Sequence, residues 1–172
     1  SNGLPRNLRS VSELNNLRSK EFSAGLIITD KILQDKEISS KSVIYRPRSL
    51  VVGIGIHWNT TKETIELAIH EAFQGYGLSI KSIRNLATIE NKAQARGLLD
   101  FSNSYQIPIE AFNDEQLSKM NVPNPSEVVG RFQGTKSVSE AAALLSSKGV
   151  LIVPKLKFPP DLTLSIARVE FR

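Results

Sequence analysis

From Leu50 onward, apolar positions follow two alternating patterns. Residues 50–55 are apolar without polar alternation, as expected for a strand covered on both faces. Ile65, Ala68, Ile69, Ala72 and Phe73 then recur at helical spacing, with Thr61 placed to cap the helix and Gly75 and Gly77 to end it. Thr61 and Thr64 do not complete a capping box, which needs Glu or Gln at the third helical position. Residues 83–89 predict a strand, 93–104 a helix, 107–112 a strand and 114–119 a short helix. Val122-Pro123-Asn124-Pro125 must be an irregular, rigid turn. A helix is expected from Ser126, with Glu127 suiting its dipole. Ser137 with Glu140 predicts a capping box ahead of an alanine-rich helix over 141–147, stopped by Gly149. Two strands, 150–157 and 162–171, flank the short loop Phe158-Pro159-Pro160-Asp161, the pattern of an antiparallel hairpin.

This alternation predicts an α/β fold. It is a three-layer α/β/α sandwich with a mixed, mostly parallel sheet of about five strands, preceded by a partial α/β segment. In residues 1–48, Leu14, Leu17 and Phe22 look like the end of a helix, and short strands are expected at 24–29 and 43–45. Two strands and one helix are too few to bury a core. Residues 1–48 are therefore read as the tail of a preceding region, or as an extension docked on the rest of the chain. Pro47 and Ser49 mark the boundary with a domain over 49–172.

Composition narrows the function classes. No apolar run approaches the ~20 residues of a membrane span, and the start has no signal-peptide pattern. The lack of cysteine excludes disulfides and thiolate metal sites and fits a cytoplasmic setting. With His57 and His70 as its two histidines, the chain is not expected to carry a histidine-rich metal site. The net charge of +5 sits mainly in residues 1–48, which hold nine Lys/Arg against five Asp/Glu. The remainder holds thirteen against twelve, too balanced for a nucleic-acid face. A local cationic cluster still suits a carboxylate-rich small molecule.

In such a sheet, ligands collect at the carboxyl ends of parallel strands. Four segments are expected to converge there: 53–61, 88–92, 121–126 and 154–157. The first is a strand, a turn through Gly53 and Gly55, and a capped helix start, a geometry that points backbone N–H groups at an anion. It adds the hydroxyls of Thr60 and Thr61, and Asn59 sits where a left-handed conformation would help. The others bring Thr88, Glu90 and Lys92; Asn124 and Ser126; and Lys155 and Lys157. Ser126 reads more readily as a helix cap than as a catalytic hydroxyl, because no His–Asp partners accompany it. Lys155 and Lys157 read equally well as the solvated face of a strand. His57, just after the turn, is the better acid–base candidate; His70, in mid-helix, reads as structural. Trp58 is either a stacking platform or a packing anchor. The turn lacks the third glycine of a dinucleotide fingerprint and the lysine of a P-loop, which disfavours nucleotides.

Six collinear segments carry a resemblance: residues 50–55 with Thr60 and Thr61; Leu86-Ala87-Thr88-Ile89 with Lys92; Gly97-Leu98-Leu99; Val122-Pro123-Asn124-Pro125-Ser126; Ser137-Val138 with Glu140-Ala141-Ala142-Ala143-Leu144; and Val153-Pro154-Lys155. Together they resemble the C-terminal domain of the cobalamin biosynthesis protein G family, the cobalt-precorrin-5A hydrolases, and its stand-alone relative, cobalamin biosynthesis protein E. Residues 23–48 look like the end of that family's middle region. The resemblance implies a role in the anaerobic route to cobalamin, where the family opens a lactone on a cobalt-bound macrocycle and releases acetaldehyde. It implies a cobalt-precorrin-type tetrapyrrole as partner and the N-terminal half of the family protein as another. No cofactor is expected on the protein itself; cobalt would arrive within the substrate. Nucleic acid and membrane are not expected as partners, and homodimerisation is left open. On this resemblance, Lys92, Lys155, Lys157 and a helix N-terminus meet carboxylates, and His57 or Glu90 handles protons. The alternatives are a non-catalytic precorrin-binding or trafficking module, and a structural domain that docks the N-terminal half. The chain departs from the family at Ile56-His57-Trp58-Asn59, where a cysteine, basic residues and a glycine are usual, and at Ala95 and Arg96, where an acid and a proline are common.

Overall fold

The computed structural model describes residues 9–13, 18–123 and 137–170. The chain divides into two compact units between Tyr45 and Arg46, with residues 30–32 belonging to the larger one. In the smaller unit, strand β1 (Gly25–Ile28) and strand β2 (Ser42–Tyr45) pair in parallel around helix α1 (Lys36–Ser40). The Asp35 carboxylate caps α1 by accepting the Glu37 and Ile38 N–H groups at 2.9 and 3.0 Å. The sequence pattern missed α1, because a five-residue helix that buries only Ile38 has no apolar period to read. The expected helix end at Leu14 and Leu17 lies outside the described residues; Phe22 comes directly after a 3-10 turn at Ser19–Glu21. Alternation along the two strands puts Leu26 beside Val43 and Ile28 beside Tyr45, all four exposed.

The larger unit is built on strand β3 (Leu50–Ile56), buried along its length except for partial exposure at Gly55. Helix α2 (Lys62–Gly75) leads to β4 (Ile83–Ile89), and helix α3 (Arg96–Tyr105) leads to β5 (Ile109–Phe112). Helices α4 (Asp114–Ser118) and α5 (Val138–Ser147) precede the hairpin of β6 (Val150–Phe158) and β7 (Leu162–Arg168). The strand order is β5-β4-β3-β7-β6. Strands β3, β4 and β5 run parallel, and β7 is antiparallel to both its neighbours, so β6 shares the direction of β3. The expected mixed sheet of five strands is therefore present, with β7 inserted between β3 and its own hairpin partner.

Even-numbered residues of β3 face one core, where Val52 and Ile54 meet Ile65, Ile69 and Phe73 of α2 and Leu98 and Phe101 of α3. On the opposite face, Val51 joins Ala87, Phe112, Leu117 of α4 and Ala141 and Ala142 of α5. Helices thus cover both faces, which explains why β3 reads as continuously apolar. The alanines of α5 reflect how near it lies to the sheet. A Cβ at Gly53 would lie 1.9 Å from the Ser139 carbonyl oxygen and 2.8 Å from the Ala143 Cβ. Gly53, expected as a ligand contact, is instead the recess that admits α5.

Two local expectations are corrected here. Ser137 is the N-cap of α5 but makes no side-chain cap bond, so no capping box forms with Glu140. Glu140 is fully buried, and its Oε1 accepts the Lys155 backbone N–H at 2.9 Å. The box instead occurs at α4, between Asn113 and Gln116. Positive φ among described residues other than glycine occurs at Gln106 and Lys148, not at Asn59. Residues 30–32 are tied to the larger unit by Asp30, whose carboxylate accepts Arg168 Nε and Nη2 at 2.7 and 3.0 Å and the Ser49 hydroxyl at 3.1 Å.

Candidate functional site

At the carboxyl ends of β3 and β6 a cleft of about 380 Å³ opens between the 57–61 loop, the start of α5 and the β6–β7 hairpin loop. Its shape arises from an irregularity in β6. Between the pairs Val153↔Ile166 and Leu156↔Leu164, β6 has one more residue than β7, the mark of a bulge. Pro154 sits in that bulge on the edge strand, where its missing N–H costs no ladder bond. The Lys155 N–H bonds Glu140 on α5. Lys155 and Lys157 both line the cleft.

On the β3 side, Gly55 and His57 line the same cleft. A Cβ at Gly55 would come within 2.6 Å of the Thr163 hydroxyl, so glycine keeps that wall open. The turn after β3 is closed by two bonds: His57 N–H to Thr60 Oγ1 at 3.1 Å, and Thr60 N–H to the His57 carbonyl at 3.2 Å. Thr60 is 3 % exposed, and its hydroxyl serves the turn rather than a ligand. Thr61 caps α2 by accepting the Thr64 N–H at 3.3 Å. The Glu63 carboxyl is held below its ordinary range, first by a backbone hydrogen bond at its own residue and then by the Thr61 hydroxyl. The N-terminus of α2 thus already carries its own carboxylate and hydroxyl, which offsets the dipole an anion would seek. Ser137 and Val138, at the start of α5, line the cleft instead, and the Ser137 side chain makes no cap bond there. The helix start that lines the cleft is therefore that of α5, not that of α2, where the sequence pattern put it.

The other expected residues are dispersed. Thr88 is fully buried, and its hydroxyl donates to the Ile54 carbonyl at 2.8 Å, so it stitches β4 to β3 beneath the surface. Glu90 lines a separate recess of about 370 Å³ with Asn91, Asn113 and Asp114. Lys92 lies with its Nζ 5.0 Å from the ring centroid of Trp58. Asn124 and Ser126 fall outside the described residues, as does the helix expected to start at Ser126. Of the four segments, the first and last share the cleft, Lys92 of the second meets Trp58 of the first, and His57 and Glu90 occupy different recesses. Sequence reasoning missed Ser137, Phe158, Pro159, Pro160 and Asp161 as cleft residues. A signal for them was present in Pro159-Pro160 beside Asp161: a rigid, charged loop at the end of a strand bearing two lysines.

The sequence pattern of the family described as Cobalamin synthesis G C-terminus matches residues 50–167. The chain belongs to this family. The matched region runs from the first residue of β3 to the penultimate residue of β7, so the Cobalamin synthesis G C-terminal region contains the whole five-stranded sheet and the cleft. Among relatives, the chain is 28 % identical over 170 residues to the cobalt-precorrin-5A hydrolase of Priestia megaterium, covering 98 % of this chain and 46 % of that protein. It therefore spans about half the length of that relative. The crystal structure of CobE, a protein from the cobalamin (vitamin B12) biosynthetic pathway, matches with a TM-score of 0.64 at 25 % identity, covering 71 % of this chain and 91 % of CobE. That of cobalamin biosynthesis protein chiG from Agrobacterium tumefaciens str. C58 matches with a TM-score of 0.56 at 27 % identity, covering 71 % and 99 %. The family thus has this α/β fold, and no helix among the described residues is long and apolar enough to cross a membrane.

Proposed function

We propose that this chain acts in cobalamin biosynthesis by holding carboxylates of a cobalt-precorrin in the cleft, as one half of a cobalt-precorrin-5A hydrolase. One observation carries the reading: the cleft gathers Lys155, Lys157, His57 and the start of α5 at one end of the sheet. Two ammonium groups and helix N–H donors suit side-chain carboxylates. Cobalt enters this reading as part of the substrate. In the lactone opening, the same donors would stabilise a developing oxyanion, and His57 is the titratable group at hand to move a proton.

The test is a visible-absorbance titration with cobalt-precorrin-5A. Lys155→Ala with Lys157→Ala is expected to weaken binding about thirtyfold, at ~1 kcal/mol for each partly exposed charge contact. Absence of any spectral change at micromolar wild-type protein overturns the reading.

A second reading, a non-catalytic precorrin carrier, rests on one specific observation: this fold accounts for 91 % of the CobE chain, so it occurs there without a second half. An aldehyde-release assay separates the two. The chain alone is expected to release none, and a longer protein carrying both halves to release stoichiometric acetaldehyde; no release from either supports the carrier. The exposed face of Leu26, Ile28, Val43 and Tyr45 supports a further element of the proposal. A two-stranded sheet is marginal in water, and more than half of the Priestia megaterium protein has no counterpart in this chain. We assign that face to the N-terminal half of the family protein.

A further inference from the structure

The cleft of about 380 Å³ lies near the bottom of the ~300–1,000 Å³ range of small-molecule sites. A tetrapyrrole that fills it with carboxylate side chains must carry its ring outside. Directly after His57, which lines the cleft, the chain presents Trp58, its one tryptophan, with 55 % of the residue exposed. The indole stands on a turn closed by the two His57–Thr60 hydrogen bonds, so its backbone is ordered without any ligand. Lys92 places its Nζ 5.0 Å from the ring centroid, which holds the indole and adds a cation beside it. An indole left in water forgoes its large apolar burial unless something flat covers it.

The geometry points to Trp58 as the platform on which the face of the macrocycle rests while its carboxylates enter the cleft, an inference that rests on the carboxylate reading above. Lys92 then meets a carboxylate on the ring edge, and stacking on Trp58 orients the ring relative to Lys155 and Lys157. Recognition divides between charge in the cleft and a flat surface on the rim. A small aliphatic polycarboxylate would use only the first.

Uroporphyrin I, a metal-free tetrapyrrole octacarboxylate, serves as probe in absorbance titrations at 50 and 300 mM NaCl. Trp58→Ala is expected to weaken binding about tenfold at both salt concentrations, the scale of one lost aromatic stack. Trp58→Phe is expected to stay within about threefold of wild type. Lys155→Ala with Lys157→Ala is expected to lose affinity mainly at low salt, because its contribution is screened. Thermal melts of the Trp58 variants are expected to match wild type, since the turn is closed by other residues. Binding by Trp58→Ala equal to wild type overturns the platform and leaves the carboxylate reading intact. Equal losses in Trp58→Ala and Trp58→Phe also overturn it, because a flat apolar face would then not be what is recognised. No binding by wild type overturns both.

Discussion

Gly53→Ala is expected to destabilise the larger unit by about 4 kcal/mol, above the ~1–3 kcal/mol that overpacking typically costs. The added Cβ would stand 1.9 Å from the Ser139 carbonyl oxygen and 2.9 Å from the Ala143 backbone nitrogen. Both are backbone atoms of α5, so no rotamer change relieves the clash. The helix must move off β3, and its movement disrupts the contact of Ala141 and Ala142 with Val51 and Ala87. Because Glu140 rides on α5 and holds the Lys155 N–H, the cleft is expected to loosen as well. Urea denaturation monitored by far-UV circular dichroism gives the stability change. A loss under ~1 kcal/mol would show that α5 yields without cost and that the close approach does not set its position.

Arg168→Met is expected to cost about 3 kcal/mol. Arg168 grips both oxygens of Asp30, which is 8 % exposed, and Ser49 also donates to that carboxylate. Removing the guanidinium leaves a buried charge with one hydroxyl in its place, and breaking such a pair costs far more than an exposed ion pair is worth. Asp30→Asn combined with Arg168→Met is expected to cost less than Arg168→Met alone, since the stranded charge is gone. The same urea titration measures the cycle, and additive single effects would remove the pairing as the explanation.

Much of the fold was legible because its signals are local. The helical spacing of Ile65, Ala68, Ile69, Ala72 and Phe73, the Thr61 cap and the unbroken apolar run of β3 each report on a few neighbouring residues. The capping box misplaced at Ser137 and Glu140 shows the limit of such signals. The motif is there, but burial against β6 recruits the carboxylate for the Lys155 N–H. Thr88 fails as a ligand for a related reason. It lies near the end of β4, where an exposed hydroxyl is expected, but the strand is buried there and the hydroxyl meets the Ile54 carbonyl.

What the sequence determined by itself was the order of the described strands and helices from Leu50 onward, the closing hairpin, and a family whose C-terminal region spans residues 50–167. It also marked Lys155, Lys157 and His57 as candidates. The tertiary structure decided which candidates meet. The strand order β3-β7-β6, together with the bulge at Pro154, leaves Lys155 and Lys157 lining the same cleft as His57, far earlier in the chain. The same arrangement leaves Glu90 in another recess and turns Gly53 into a packing contact. Strand order and bulge register depend on pairing between distant segments, and an apolar period states only that a face is buried, not against what.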